Sequence, residues 1–360
     1  IYPSSKLATF ELSKKFLETP RFELQHIYRS LEVLSKETDF IQSELYKNSL
    51  NISNRNTDVL YYDCTNYFFE VEEESGLRQY GKSKENRPNP IVQMGLFMDG
   101  DGIPLAFSLF AGNANEQTSL KPLEEKVLSE FGCQKFIYCS DAGLGCEKIR
   151  TYNHMRQRAF IVTQSIKKLN GQDKTWALDT KGFRRVSDNK SVDITMLSPD
   201  DTGLYYKEEP YNPQIIDQRL IVTYSPKYAR YQKTIRNKQL DRAFKMLESG
   251  SIKKERKNPN DPARFIAKTA TTDTGEVAKI NYYLDEEKIE TESLYDGMYA
   301  VATDLLDDDV CDILKISEGR WQIEECFRIM KTDFEVRPVY LQIETRIKAH
   351  FLSCFISLAI

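Results

Sequence analysis

Apolar residues along the chain follow helical spacing in some stretches and strand-like runs in others, and the changes between them mark out its organisation. Over residues 5–50, Leu7, Phe10, Phe16 and Leu17 precede Pro20, and Ile27, Leu31, Leu34, Phe40, Ile41 and Leu45 follow it at roughly helical spacing. A polar break at 48–56 closes this helical unit. Val59–Phe69 is rich in β-branched and aromatic residues and predicts a strand with Asp63 in its middle. The polar segment Glu70–Pro90, with Lys82, Lys84 and Arg87, predicts a mobile loop. Ile91–Met98 and Ile103–Phe110 are apolar runs joined by Asp99-Gly100-Asp101-Gly102, the signature of a hairpin. Asn115–Phe131 carries Leu120, Leu123, Val127 and Leu128 on one helical face. A short buried strand from Lys135 ends at Asp141 before a glycine turn, and a helix from Cys146 to about Arg158 follows.

From Ala159 to Tyr295 the character changes. Short β-type runs (Phe160–Ile166, Ser191–Leu197, Leu220–Tyr224) alternate with polar loops around one basic helix, 227–247. That helix carries Lys227, Arg230, Lys233, Arg236, Lys238, Arg242 and Lys245, and the looser run Lys253–Lys257 follows it. Regular patterning returns with a strand over 296–303 and a helix opened by Asp307-Asp308-Asp309. A helical stretch Gly319–Lys331 is expected to end before Arg337-Pro338, and Gln342–Ile360 forms a last apolar helix. The predicted fold class is α/β, a mixed sheet flanked by helices and interrupted by a β-rich insertion, with an N-terminal helical segment. The expected divisions are 1–55, 56–158, 159–295 and 296–360.

Composition narrows the chemistry. The chain has 360 residues, 40% hydrophobic and 29% charged, the balance of a globular protein with a sizeable core. A net charge of −4 excludes a uniformly basic nucleic-acid coat but allows a local basic groove among 50 Lys and Arg. Seven cysteines form no CxxC pair, and three histidines show no ligand spacing, so reduced thiols in a cytoplasmic protein are expected and any chemistry rests on carboxylates. No apolar run reaches 18 residues, so no membrane partner is expected. The chain starts at Ile1 and stops within an apolar segment, from which both ends are expected to be trimmed.

Three carboxylates stand out: Asp63 mid-strand, Asp141 at a strand end, and Glu324 on the 319–331 stretch, separated by 78 and 183 residues. In that stretch Ile323, Phe327, Met330 and Phe334 form an apolar face, and Arg320, Glu324, Arg328 and Lys331 form a charged stripe beside it. The stripe alone reads as helical ion pairs worth a few tenths of a kcal/mol each. Brought together, three such acids would hold two hard divalent cations through oxygen ligands. Cations about 3.5–4 Å apart activate an attacking oxygen and stabilise a leaving one in phosphodiester chemistry. Without His and Cys clusters, Mg²⁺ or Mn²⁺ is favoured over zinc.

The chain resembles the DDE transposases of bacterial insertion sequences, in the branch with a β-rich insertion between the second Asp and the Glu. The resemblance rests on Tyr61-Tyr62-Asp63-Cys64-Thr65, on Ala111-Gly112-Asn113-Ala114-Asn115-Glu116 and on Ser140-Asp141-Ala142-Gly143. It rests also on Asp296-Gly297 with its strand, and most specifically on Arg320-Trp321-Gln322-Ile323-Glu324-Glu325 with Lys331. That branch carries a Tyr, Arg, Glu, Lys signature with two, three and six residues between members. Arg320, Glu324 and Lys331 match it, and Ser317 stands at the Tyr position.

The resemblance implies a ribonuclease-H-like core with an insertion at about 159–295, and Asp63, Asp141 and Glu324 as catalytic residues holding two Mg²⁺ or Mn²⁺ ions. It implies that Arg320 and Lys331 hold phosphates of the transposon ends, double-stranded DNA being the partner, in a homodimeric synapse within a bacterial cytoplasm. Arg328 and the basic-helix residues Lys227, Arg230, Arg236 and Arg242 are further candidates for DNA contact. Tyr299, with Trp176 as a second choice, is where a flipped base would stack. The implied activity is strand cleavage at transposon ends followed by 3′-hydroxyl strand transfer. A stand-alone nuclease on the same core and a domesticated DNA-binding relative are the alternatives.

Overall fold

The computed structural model describes residues 3–155, 157–198, 200–213, 215–250, 260–271 and 279–360. The predicted N-terminal helices are α1 (Lys6–Ser13), α2 (Leu24–Lys36) and α3 (Thr38–Ser49). The strand and hairpin follow as β1 (Val59–Phe68), β2 (Ile91–Asp99) and β3 (Pro104–Ala111), then α4 (Glu116–Glu130), β4 (Ile137–Ser140), α5 (Glu147–His154) and β5 (Ala159–Thr163). Next come α6 (Gly171–Leu178), β6 (Arg184–Arg185), β7 (Tyr205–Tyr211), β8 (Gln218–Tyr224) and α7 (Pro226–Glu248). The chain continues through β9 (Ile266–Thr271), β10 (Lys279–Leu284), α8 (Glu286–Ser293) and β11 (Met298–Thr303) to α9 (Val310–Gly319), α10 (Trp321–Thr332) and α11 (Glu344–Ala359).

The chain divides into two compact units. The first holds residues 1–163, 211–219 and 302–360; the second holds 164–210 and 220–301. In the first, the strand order is β3-β2-β1-β4-β5. β1 pairs antiparallel with β2, and β2 with β3, whereas β1–β4 and β4–β5 are parallel. The sheet is therefore mixed. Every residue of β2 is buried, as a strand covered on both faces requires. Successive side chains of β1 point to opposite faces. On one face the Tyr62 hydroxyl meets Ser119 Oγ of α4 at 2.7 Å. On the other, Tyr61 donates to the carbonyl of Ile316 in α9 at 2.9 Å, and Tyr67 packs its ring on Phe351 of α11, centroids 4.9 Å apart. Buried Gln42 of α3 accepts the Phe107 N–H at 2.7 Å, joining the N-terminal helices to this sheet.

The second unit contains neighbouring strands β11, β8, β7 and β6 and a separate β9–β10 hairpin. Part of its core gathers Ala243 of α7 with Phe265 and Ile266, flanked by Leu240, Leu247, Leu284 and Ile289.

Three sequence expectations change. Ser191–Leu197 reads as β-type from its alternating apolar residues, but Ile194–Met196 is a 3₁₀ turn. Asp193 caps it by accepting the Thr195 N–H at 2.9 Å, a local bond that competes with strand pairing. Residues 70–90 form a strap tied at several points rather than a loose loop. Gln79 and Ile91 exchange backbone hydrogen bonds at 2.8 and 3.1 Å, and the Asn66 amide donates to the Lys82 carbonyl and accepts the Lys84 N–H. The 319–331 stretch divides at Arg320, which ends α9 and begins α10. α10 then stops at Thr332, before Arg337-Pro338 is reached. The run Lys253–Lys257 lies outside the described residues.

Candidate active site

The alternation of β1 decides where its acid goes. Tyr61, Thr65 and Tyr67 all reach the α9–α10 side: Lys331 Nζ donates to Thr65 Oγ1 at 2.6 Å, and the Tyr67 hydroxyl lies 3.5 Å from Met330 Sδ. Asp63 shares their parity, so its carboxylate belongs to the same face. The parallel register pairs Leu60 with Tyr138 and Tyr61 with Cys139. Carried past the end of β4, it brings Asp141 toward Asp63, whose carboxyl feels the Asp141 charge.

The two acids are held differently. Asp141 sits just beyond β4, where its Oδ1 accepts the N–H groups of Gly143 (2.9 Å) and Leu144 (3.0 Å) in an Asx turn. Asp63 Oδ1 accepts the Cys64 N–H at 2.7 Å. Burial foremost, and the Asp141 charge beside it, push the Asp63 carboxyl up to about 6, against the pull of Lys84 and Arg320.

Arg320 and Glu324 stand at the start of α10, and the Arg320 charge acts on Asp63. Arg320 Nη1 lies 3.3 Å from Glu324 Oε1; the arginine is largely buried and the glutamate side chain is 60% exposed. Seven residues on, Lys331 closes the other end. Burial and the nearby Lys84 bring its ammonium down to about 8, with Asp63 opposing them. Tyr61 faces the α9–α10 junction and Thr65 faces Lys331, so Asp63 lies beneath the span of α10 that contains Glu324. Among the described residues, no three His, Cys, Asp or Glu side chains converge as a ready metal cluster. The Glu324 carboxylate is turned onto Arg320 instead.

Lys84 is a site residue that sequence patterning did not single out. Its ammonium donates to the Cys64 carbonyl, acts on Asp63, and lies 3.3 Å from Glu116 of the hairpin-to-helix motif. The polar strap carries no periodicity that could have marked it. Ser317, where the signature has Tyr, is buried within α9.

The remaining candidates are dispersed. Arg328 pairs with Glu325 at 2.6 Å and faces Asp333 at 3.5 Å on the exposed side of α10. Within the second unit, Lys227, Arg230 and Arg242 lie exposed on α7, with Arg230 donating to the Asp201 carbonyl at 3.2 Å. Arg236 instead turns inward onto Asp296, its side chain 11% exposed. Tyr299 is half-buried on β11, and Trp176 is half-buried under the Lys207 ammonium, 4.7 Å from its ring.

No family model matches this chain, and no curated protein matches it. Among solved structures, the piggyBac transposase synaptic complex with hairpin DNA aligns over 98% of this chain and 68% of its own, at 8% identity and a TM-score of 0.41. The Mos1 transposase paired-end complex with the left transposon end aligns over 43% and 48%, at 16% identity and a TM-score of 0.22. Similarity this weak carries no weight for fold or chemistry, which rest on the residues themselves. No helix among the described residues is long and apolar enough to cross a membrane.

Proposed function

We propose that this chain is a DNA transposase whose first unit is a ribonuclease-H-like catalytic core. The observation that carries the reading is the nearness of Asp63 on β1 and Asp141 just past the adjacent parallel strand β4, with the Arg320 charge acting on Asp63 as well. The strand order β3-β2-β1-β4-β5, antiparallel at one side and parallel at the other, supports the same core. The signature residues Arg320, Glu324 and Lys331 lie along the helix above the acids.

The residues fit a divalent-cation site in two respects. Their donors are all oxygens, suiting Mg²⁺ or Mn²⁺. The burial and, second to it, the carboxylate repulsion that raise Asp63 are also of the kind a bound cation offsets. Asp63 and Asp141 would hold the ions, and Glu324 would join them after leaving Arg320. Bound there, the ions would supply activation of the attacking oxygen and charge stabilisation at the scissile phosphate. Arg320, released, presents a fork to a DNA phosphate, and Lys331 a point charge held in place by Thr65. The exposed bases of α7 would follow the duplex backbone, and two copies would join two element ends.

The test uses duplexes bearing the terminal sequences that flank the gene, with Mg²⁺, comparing wild type with Asp63→Ala, Asp141→Ala and Glu324→Gln. Cutting and strand transfer by wild type, lost in all three variants, is expected. Variants that cut as well as wild type sink the assignment, and cutting without strand transfer favours the stand-alone nuclease.

A further inference from the structure

At the C-terminal end of α10 lies a charge cluster that shares Lys331 with the reaction just described but whose Glu85, Arg337 and Lys6 have no part in it. Arg337 contacts the Glu85 carboxylate through Nη1, and Lys331 Nζ stands 3.9 Å from the same oxygen, Oε1. That oxygen is cut off from solvent. One acid of the strap thus sits on two cations from elsewhere in the chain. Both cations also line a cavity of about 870 Å³, large enough for a nucleotide-sized group. Its wall includes Lys6, whose Nζ lies 3.4 Å from Nδ1 of His350, together with Tyr28 and Tyr340. Three cations therefore line it against a single acid, Glu335.

We propose that this cavity binds a phosphate group through Arg337, Lys331 and Lys6, and that Glu85 occupies the cationic seat when no ligand is present. A carboxylate and a phosphate offer a guanidinium the same paired anionic oxygens, so one can stand in for the other. Burial lowers the proton affinity of both Lys6 and Lys331, a cost that an entering anion offsets. Lys331 also binds Thr65, two residues from Asp63, so a phosphate seated here continues the track from the carboxylates. The chemistry fits a DNA phosphodiester or a free polyphosphate. Only the choice of DNA as the natural source rests on the proposed function.

Two probes separate these sources: tripolyphosphate followed by calorimetry, and a 20-base-pair duplex followed by anisotropy in EDTA. Each is measured on wild type, Glu85→Gln, Arg337→Gln and the double variant, with melting curves to confirm folding. Glu85→Gln is expected to tighten binding roughly fivefold, the scale of removing one competing ion pair. Arg337→Gln is expected to weaken it about tenfold and, for the duplex, to flatten the dependence of log K on log salt by about 0.9. In the double variant the gain from Glu85→Gln should vanish. A response confined to tripolyphosphate supports the site with a free polyphosphate as its ligand, and one confined to the duplex supports a phosphodiester. Equal affinities across all four proteins for both probes overturn the site. Loss of the transposase reading would appear in the cutting assays and leave the tripolyphosphate result standing.

Discussion

Asp63 in β1 and Asp141 just past the end of the parallel strand β4, 78 residues apart in sequence, lie close enough for the Asp141 charge to act on the Asp63 carboxyl. Burial foremost, and then the Asp141 charge, raise the energy of the Asp63 carboxylate. Asp141→Asn should lower the Asp63 carboxyl below about 6, as followed by carbon-detected NMR titration in EDTA. An unchanged Asp63 titration would mean that the side chains diverge despite the register.

Gly319 ends α9 against β1, and a Cβ there would lie 2.2 Å from the Tyr61 hydroxyl oxygen. Gly319→Ala should destabilise the fold by about 1–3 kcal/mol, the range for overpacking a close contact. Adding Tyr61→Phe removes the nearest clashing atom and leaves the ring Cζ at 2.9 Å, so the double variant should melt closer to wild type than additivity allows. Additive losses in thermal unfolding would place the strain elsewhere.

His350 titrates far from its ordinary range, because burial and the Lys6 ammonium bring it down to about 3. The unfolded imidazole binds a proton below about pH 6.5, where the folded one does not. Its contribution to stability is therefore complete above pH 6.5 and is lost as pH falls toward 3, by a few kcal/mol at roughly 1.4 per pH unit. Melting temperatures of His350→Gln should fall less steeply than wild type between pH 7 and pH 4. Parallel profiles would assign the acid sensitivity to other groups.

The exposed cations of α7 provide a separate test of DNA contact. Replacing Lys227, Lys233, Lys238 and Arg242 together with Gln should leave the melting temperature within about 1–2 °C, since each is solvent-exposed. The salt dependence of duplex binding should flatten by about 0.9 for each phosphate contact removed. An unaltered slope would remove α7 from the interface.

Much of this arrangement was legible in sequence because it is local. The apolar run around Asp63 predicts β1 to within a residue, and Asp99-Gly100-Asp101-Gly102 predicts the hairpin turn joining β2 to β3. The break at Arg320 was not legible, since no proline marks it and both flanking helices keep an apolar face. The 3₁₀ turn at Ile194–Met196 escaped because alternating apolar residues suit a strand as well. Lys84 and Glu85 were hidden for a different reason. Their partners, Cys64, Glu116, Lys331 and Arg337, are reached only after the chain folds back, and no spacing rule encodes such contacts.

The two-faced pattern of β1 also restricts how its coding sequence can vary. A one-codon insertion or deletion between Val59 and Asp63 would reverse the parity of the acid, carrying it toward Ser119 on α4 and away from Lys331. Length changes in this strand should therefore be far less tolerated than point substitutions. A deletion scan of 59–68 would show this as a block of complete losses ending abruptly at the polar strap.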